Sequence, residues 1–245
     1  IGPLGASSFT ASYPTWSYAG QEGVWDSGFL DYLNIIKQKL HKNNYLVAAR
    51  HVIPYTSYSV NSSLWNTFIN NIDIIATTYP FPTSGLYNYV IGTNWENCMS
   101  LHDIIINKNK INCWLCDERN TDNEIYLYQN YLYQYCSFLL IKSDNTLFYC
   151  NSGVSYNQSV PWRTLYNHDL GQPAGERYKI SGLWGREYER AWVVVNNTTS
   201  DLSFFATGWT HNPSALADKR NNQTYVVSGR YGQIITKIDG EISPT

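Results

Sequence analysis

The sequence predicts an α/β protein in which a parallel sheet with crossover helices comes first and a smaller antiparallel β domain follows. Three observations indicate this fold class. Short apolar runs alternate with longer amphipathic segments between residues 24 and 152. After residue 165 the helical periodicity disappears, and short alternating runs lie between turn residues. Near-continuous apolar runs such as residues 72–76 are typical of parallel strands that are buried on both faces.

The first part of the chain is predicted to alternate strand and helix. Strands are expected over residues 24–31, 45–52, 72–77, 111–115 and 146–150, and helices over 32–42, 63–70, 97–107 and 123–140. In the first helix, Leu33, Ile36 and Leu40 have helical spacing, and the pair Asn43-Asn44 ends it. Strand and helix in alternation indicate a parallel sheet whose strands are joined by crossover helices.

The last part of the chain is predicted to be antiparallel β structure. Its runs at residues 191–195, 202–206, 225–228 and 233–238 are separated by turn pairs such as Asn221-Asn222. Strands at this spacing are typical of a sandwich. The predicted organisation is an extended N-terminal segment (1–23), an α/β part (24–164) and a C-terminal β domain (165–245).

The composition excludes several classes of protein. The chain has 38 aromatic and 36 charged residues, so 15% of its residues are charged, against ~25% in an ordinary soluble domain. Its net charge of −2 gives no basic footprint for nucleic acid. The many aromatic residues exclude intrinsic disorder, and no apolar stretch approaches the ~18 residues of a membrane span. Since the chain begins at Ile1, we expect that a leader has been removed or that the chain belongs to a longer protein.

Cysteines and glycosylation sequons allow few conclusions. Cys113 and Cys116 form a C-x-x-C without a second pair, so neither a metal site nor another cofactor is expected. The five cysteines are expected to be buried thiols or to form one or two disulfides. Sequons permit glycosylation if the protein is secreted, and their number is close to the chance expectation. They lie at Asn61, Asn157, Asn196, Asn197 and Asn222.

Polar and aromatic residues collect at the predicted carboxyl ends of the strands, where parallel βα proteins place their sites. Two carboxylates in one cleft are the minimum for glycoside hydrolysis, because one protonates the leaving oxygen and the other attacks carbon or activates water. Aromatic rings beside them offer flat faces to a sugar ring. The strand-end residues and nearby rings are Asp31, His51, Tyr79, Asp117, Glu118 and Asn151, with Trp25, Trp95 and Trp114.

The same residues also have structural explanations. Asp31 could cap the helix that follows the first strand. Asp117, Glu118 and Arg119 could form a surface ion pair of little energetic consequence. His51 fits a hydrogen-bonded residue at a strand end as well as it fits a catalytic base. From the pattern alone, both explanations of these residues stay open.

Three short motifs also occur in a particular order along the chain. They span residues 28–33 (GFLDYL), 168–175 (HDLGQPAG) and 182–188 (GLWGREY), the last followed by 193–196 (VVVN). Together they resemble a family of glycoside-hydrolase-like proteins in which a (β/α)₈ TIM-like barrel precedes a small β-sandwich domain. The motifs are similar to that family's strand-four motif, its linker after the barrel and the opening of its β domain. The resemblance extends from about residue 24 to the C-terminus.

The resemblance implies specific roles and an unusual fold. Asp31 would be the strand-four carboxylate, acting as nucleophile or electrostatic stabiliser, and Glu118 or Asp117 after strand seven would be the general acid. The barrel would be incomplete, with strands four to eight only, because residues 1–23 cannot hold three more βα units of ~30 residues each. Sequence absent here would otherwise complete it. Residues 77–79 (TTY) stand where related barrels carry a carboxylate after strand six.

Two functions follow as expectations. In the first, the protein hydrolyses or binds an extracellular glycan, either secreted or at the cell surface, through its strand-end carboxylates. In the second, it is a catalytically inactive structural or glycan-binding protein that assembles into a homopolymer or surface array. The open sheet edges of an incomplete barrel favour the second function, since they must be paired or covered.

Overall fold

The structure is a computed structural model that describes residues 22–52, 63–78, 90–117, 124–151, 164–205 and 224–236. Four α-helices, a 3₁₀ helix (Thr164–Asn167) and ten strands lie within these residues. The α-helices and strands are α1 (Glu22–His41), β1 (Ala48–Val52), α2 (Ser63–Asn70), β2 (Ile74–Thr78), α3 (Gly92–Asn107), β3 (Ile111–Asp117), α4 (Glu124–Leu139), β4 (Thr146–Asn151), β5 (Tyr178–Ile180), β6 (Leu183–Glu187), β7 (Ala191–Asn196), β8 (Leu202–Phe205), β9 (Thr224–Val227) and β10 (Tyr231–Thr236).

The described residues divide into two compact units that are interleaved along the chain. The first unit takes those within Ile1–Pro80, Asn97–Leu115 and Asn145–Leu147. The second takes those within Phe81–Glu96, Cys116–Asp144 and Phe148–Thr245. Each unit therefore collects segments that are distant in sequence.

The parallel sheet has the strand order β1-β2-β3-β4, so strands that follow one another in the chain are neighbours. Its register pairs Ala49 with Ile75 and Ile75 with Asn112. Side chains alternate between the two faces of a strand, and the buried residues Ile75, Asn112 and Trp114 share one face. The predicted parallel sheet with crossover helices is confirmed, and α2 matches the predicted helix at both ends.

The predicted strand over residues 24–31 is wrong, because these residues belong to α1. The helix buries Leu30 and Leu33 and half-buries Ile36 and Leu40. These positions continue a single stripe at helical spacing, so the helix that was expected from residue 32 begins ten residues earlier, at Glu22. The motif at residues 28–33 is therefore helical and does not form a barrel strand.

The second unit contains a four-stranded antiparallel sheet in the order β10-β7-β6-β5 and a two-stranded sheet of β8 and β9. Every residue of the central strand β7 is buried. One face of the four-stranded sheet contributes Trp192 and Val194 to a core with Phe204 and Val227 of the two-stranded sheet. Strands β7, β8, β9 and β10 were predicted, whereas β5 and β6 were not.

The opposite face of the four-stranded sheet packs against α4. Gly232 pairs with Val195, and a methyl group placed on it would lie 2.5 Å from the carbonyl oxygen of Leu132 and 2.6 Å from Cβ of Cys136. The helix thus approaches the backbone of β10 closely, and Ile234 and Val193 form the next pair on this face. Strand β7 is buried on both faces because a helix covers one and a second sheet covers the other.

The described residues establish a mixed α/β protein with a parallel four-stranded sheet and separate antiparallel sheets. No helix among them combines the length and hydropathy that a membrane crossing requires.

Candidate functional site

The carboxyl ends of the parallel strands are the candidate site, since such ends lie at one edge of a parallel sheet. The register pairs His51 with Thr77, Val52 with Thr78, and Thr78 with Leu115. Strand β3 continues two residues beyond Leu115 and ends at Asp117. Strand β3 therefore ends in an acidic residue, two residues after Leu115, which pairs with the last residue of β2.

Asp31 is not at this edge. It lies in the interior of α1, where its side chain is exposed. Neither a strand-end carboxylate nor an N-cap is compatible with this position, because an N-cap precedes the first turn of its helix. Trp25, which was predicted on the same strand, also belongs to α1.

Trp95 and Trp114 do not present faces to a ligand, because both side chains are completely buried. The indole Nε1 of Trp95 donates a hydrogen bond to Ser137 Oγ at 3.1 Å. The ring of Trp114 stacks on His102 with centroids 4.2 Å apart, and Asn112 Nδ2 donates to His102 Nδ1 at 2.9 Å. The expectation that these two tryptophans stack on a sugar is wrong, since they are core residues.

Other predicted site residues lie wholly or partly outside the described residues. Glu118 and Tyr79 lie outside them, as do the sequons at residues 61, 157 and 222. For His51, Asp117 and Asn151 the structure gives the backbone position only, with Asn151 as the last residue of β4. Their roles in ligand binding stay predictions.

The sequons at Asn196 and Asn197 are buried, with exposed fractions of 0% and 4%. Asn196 Nδ2 donates hydrogen bonds to the carbonyl oxygens of Ser200 and Val227, each at 2.8 Å. N-glycosylation bonds the sugar to this nitrogen, so a glycan at Asn196 would break its contact with Val227 of β9 and its contact with Ser200 in the turn after β7. The fold therefore argues against glycosylation at Asn196.

Residues from two of the motifs noted in the sequence meet at the end of α4. Arg186 Nε donates to the carbonyl oxygen of Gly175 at 2.8 Å, and its Nη1 donates to those of Lys142 at 2.8 Å and Leu139 at 3.3 Å. The hydroxyl of Tyr188 donates to the same Leu139 oxygen at 2.5 Å. Helix ends leave their last carbonyl groups without intrahelical partners, so these side chains complete the C-terminus of α4.

Aromatic side chains on α4 belong to a buried cluster. Tyr131 and Tyr135 stack with centroids 5.6 Å apart, and both meet the ring of Tyr166 edge-on. Tyr135 and Phe138 also pack against Phe148. Burial raises the pKa of Tyr131 and Tyr135 above the ordinary tyrosine value. These hydroxyls stay protonated at neutral pH, which makes them unsuitable as bases.

None of the five cysteines, all of which lie within the described residues, forms a disulfide, and four of them are buried. Burial raises the pKa of Cys98, Cys136 and Cys113, so these thiols are poor nucleophiles. Cys113 and Cys116 are three residues apart on β3, and alternation directs their side chains to opposite faces. No group of three or more potential metal ligands occurs among the described residues.

Comparison with protein-family models finds none that matches the chain, and comparison with curated proteins finds no match.

Proposed function

We propose that the protein is a carbohydrate-active protein that engages a glycan, outside the cell or at its surface, at the carboxyl edge of its parallel sheet. Asp117 and Glu118 are the acidic residues of the proposed site. One observation carries the proposal: the parallel strands occur in sequential order, and an acidic residue ends β3 at the edge where βα proteins place their sites.

The proposed fold is a cut-down (β/α) barrel followed by a small sandwich. Sequential parallel order supports the barrel, because each strand of a (β/α) barrel pairs with the next one in the chain. The sandwich is supported by the core that Trp192, Phe204 and Val227 build from two sheets of the second unit.

A second candidate, a glycan-binding or structural protein without catalysis, is favoured by two observations. Asp31 lies on a helix, which removes the partner that hydrolysis by two carboxylates would require. On β4, the last strand in the sheet order, Leu147 and Tyr149 leave 57% and 44% of their surface exposed. Exposed apolar side chains on such a strand favour assembly of the chain with copies of itself.

One set of variants tests both candidates. Wild type, Asp117→Asn, Glu118→Gln and Asp31→Asn are incubated with plant, algal and bacterial polysaccharides, and both reducing-sugar release and binding are measured. Asp31→Asn is the matched control, because it neutralises an exposed carboxylate on a helix.

The outcomes separate the candidates. Release that is lost in Glu118→Gln or Asp117→Asn and retained in Asp31→Asn supports hydrolysis at the end of β3. Binding without release, weakened by the same two substitutions, supports the second candidate. If no polysaccharide binds, or if Asp31→Asn alone abolishes binding, the proposed site is wrong.

A further inference from the structure

A cluster of basic side chains surrounds one carboxylate in the first unit. Its members are Lys37 and His41 of α1, Lys108 at the end of α3, and Lys110 immediately before β3. They meet at the segment from Asn70, the last residue of α2, to Asp73, immediately before β2. Asp73 and Lys110 precede their strands, so the cluster is at the amino edge of the sheet.

Asp73 is the centre of this cluster. Its Oδ2 accepts hydrogen bonds from the backbone N–H of Val47 at 2.9 Å and from His41 Nε2 at 2.7 Å. Its Oδ1 lies 3.8 Å from Nζ of Lys37 and 3.8 Å from Nζ of Lys110. One carboxylate thus interacts with two ammonium groups and an imidazole.

The third lysine reaches the same segment through Asn70. Lys108 Nζ donates to Asn70 Oδ1 at 2.9 Å, and Lys37 Nζ donates to the carbonyl oxygen of Asn70 at 2.6 Å. Both acceptors are neutral, so these bonds hold the ammonium groups in place without balancing their charge.

The cluster carries an excess of positive charge. Lys37, Lys108 and Lys110 contribute three ammonium groups against one carboxylate, whether or not His41 is protonated. Only 20% of the Lys37 side chain and 15% of the Lys110 side chain are exposed, so solvent screens these charges incompletely. Burial and the nearby Lys37 lower the pKa of Lys110, and the Asp73 carboxylate opposes them only in part.

We propose that Lys37, Lys108 and Lys110 bind a dianionic tetrahedral oxyanion, phosphate or sulfate, either free or as a monoester. Two negative charges would balance the excess of the three ammonium groups over the Asp73 carboxylate. Each ammonium group has three donors, and the described contacts leave donor capacity for an oxyanion that accepts from several lysines together. The site is separate from the carboxyl edge to which glycan binding is assigned, so it does not depend on that function.

The test uses the full chain and inorganic sulfate and phosphate as probes. Titration calorimetry and thermal unfolding are measured against sodium chloride at equal ionic strength. Glucose 6-phosphate, with glucose as its uncharged control, distinguishes a monoester from the free anion. The variants are Lys110→Met and Lys108→Met. Lys39→Met is the matched control, because Lys39 is an exposed lysine on α1 outside the cluster.

We expect saturable binding of sulfate or phosphate and a rise in the unfolding temperature that chloride does not reproduce. Lys110→Met and Lys108→Met should each weaken binding by about tenfold, as expected when one charge-assisted hydrogen bond is lost, whereas Lys39→Met should leave it unchanged. Lys110→Met should fold, because Lys37 and His41 remain as partners of Asp73. Equal effects of sulfate and chloride, or unchanged affinity in both cluster variants, would overturn the proposal.

Discussion

Replacing Arg186 with methionine should destabilise the second unit strongly. The arginine is buried, with 8% of its surface exposed, and it donates hydrogen bonds to the carbonyl oxygens of Gly175, Lys142 and Leu139. Methionine has a similar length and can fill much of the space. The substitution therefore removes the donors and largely preserves the packing.

The size of the effect follows from which acceptors lose their partner. The carbonyl oxygen of Leu139 still accepts hydrogen bonds from the hydroxyl of Tyr188 and the N–H of Lys142. Losing Arg186 at this oxygen therefore costs little stability. The carbonyl groups of Gly175 and Lys142 lose their charge-assisted bonds from Arg186, and such bonds contribute ~1.5–3 kcal/mol each. We expect the free energy of unfolding to fall by about 3 kcal/mol, at the lower end because such losses are not additive.

Urea unfolding and hydrogen exchange measure this effect. Wild type, Arg186→Met, Arg186→Lys and Arg190→Met are compared. Arg186→Lys should be intermediate, because a lysine keeps the charge but lacks the planar fork that reaches several carbonyl groups. Arg190→Met, which removes an exposed partner of Asp169, should change stability little. In Arg186→Met, amide exchange should accelerate at residues 140–142, which follow α4.

The explanation would be refuted by a loss of stability in Arg186→Met no larger than that in Arg190→Met. It would equally be refuted if exchange at residues 140–142 stayed as slow as in wild type. In either case Arg186 would not stabilise the end of α4.

Three further predictions concern packing, acid stability and thiol reactivity. Gly232→Ala should lower the free energy of unfolding by ~1–3 kcal/mol through overpacking against α4, while Gly28→Ala, in open space on α1, should raise it by ~0.5–1 kcal/mol; urea unfolding of both variants checks the contrast. Burial alone would raise the pKa of Asp73, but hydrogen bonds from His41 and Val47 N–H and nearby positive charge outweigh it and lower that pKa. In the unfolded chain this carboxyl titrates near pH ~4, so the stability that ionised Asp73 contributes is present above that pH and is lost as the pH falls through the lower folded pKa. The difference in unfolding temperature between wild type and Asp73→Asn should therefore shrink as the pH is lowered through this range. A thiol reagent at neutral pH should modify Cys113 before the buried cysteines, and mass spectrometry of the labelled peptides would contradict the structure if Cys136 reacted first.

The strands and helices could largely be predicted from the sequence because their apolar spacing determines them. Strand β7 coincides with a continuous apolar run, and α2 coincides with apolar residues at helical spacing. The strand predicted over residues 24–31 is wrong because the apolar residues around Gly28, taken only as far as Asp31, have the pattern of a short strand. Leu30 and Leu33 in fact begin the buried stripe of α1, which becomes visible only when the window is extended through Leu40.

The site was less predictable because its residues depend on contacts that are distant in sequence. Trp114 falls near a strand end, which suggested a ligand face, but its partner His102 comes from α3 and makes it a core residue. The lysine cluster was missed because Lys37 and Lys110 are far apart in the chain and meet only at Asp73. One signal was present, since Lys108 and Lys110 flank the turn before β3. Likewise, Arg186 lies in a recognised motif, but its role became clear only from the carbonyl groups it reaches.

The packing of α4 against β7 and β10 has a consequence for how the chain is made. The helix ends at Leu139, whereas β7 begins at Ala191 and β10 at Tyr231, 52 and 92 residues later. At a synthesis rate of ~5–20 residues per second, β7 is completed about 3–10 s after the helix and β10 about 5–18 s after it. Until then, neither strand can cover the face of the helix around Cys136. During that time its apolar surface is exposed on the ribosome and is open to chaperones or to other nascent chains.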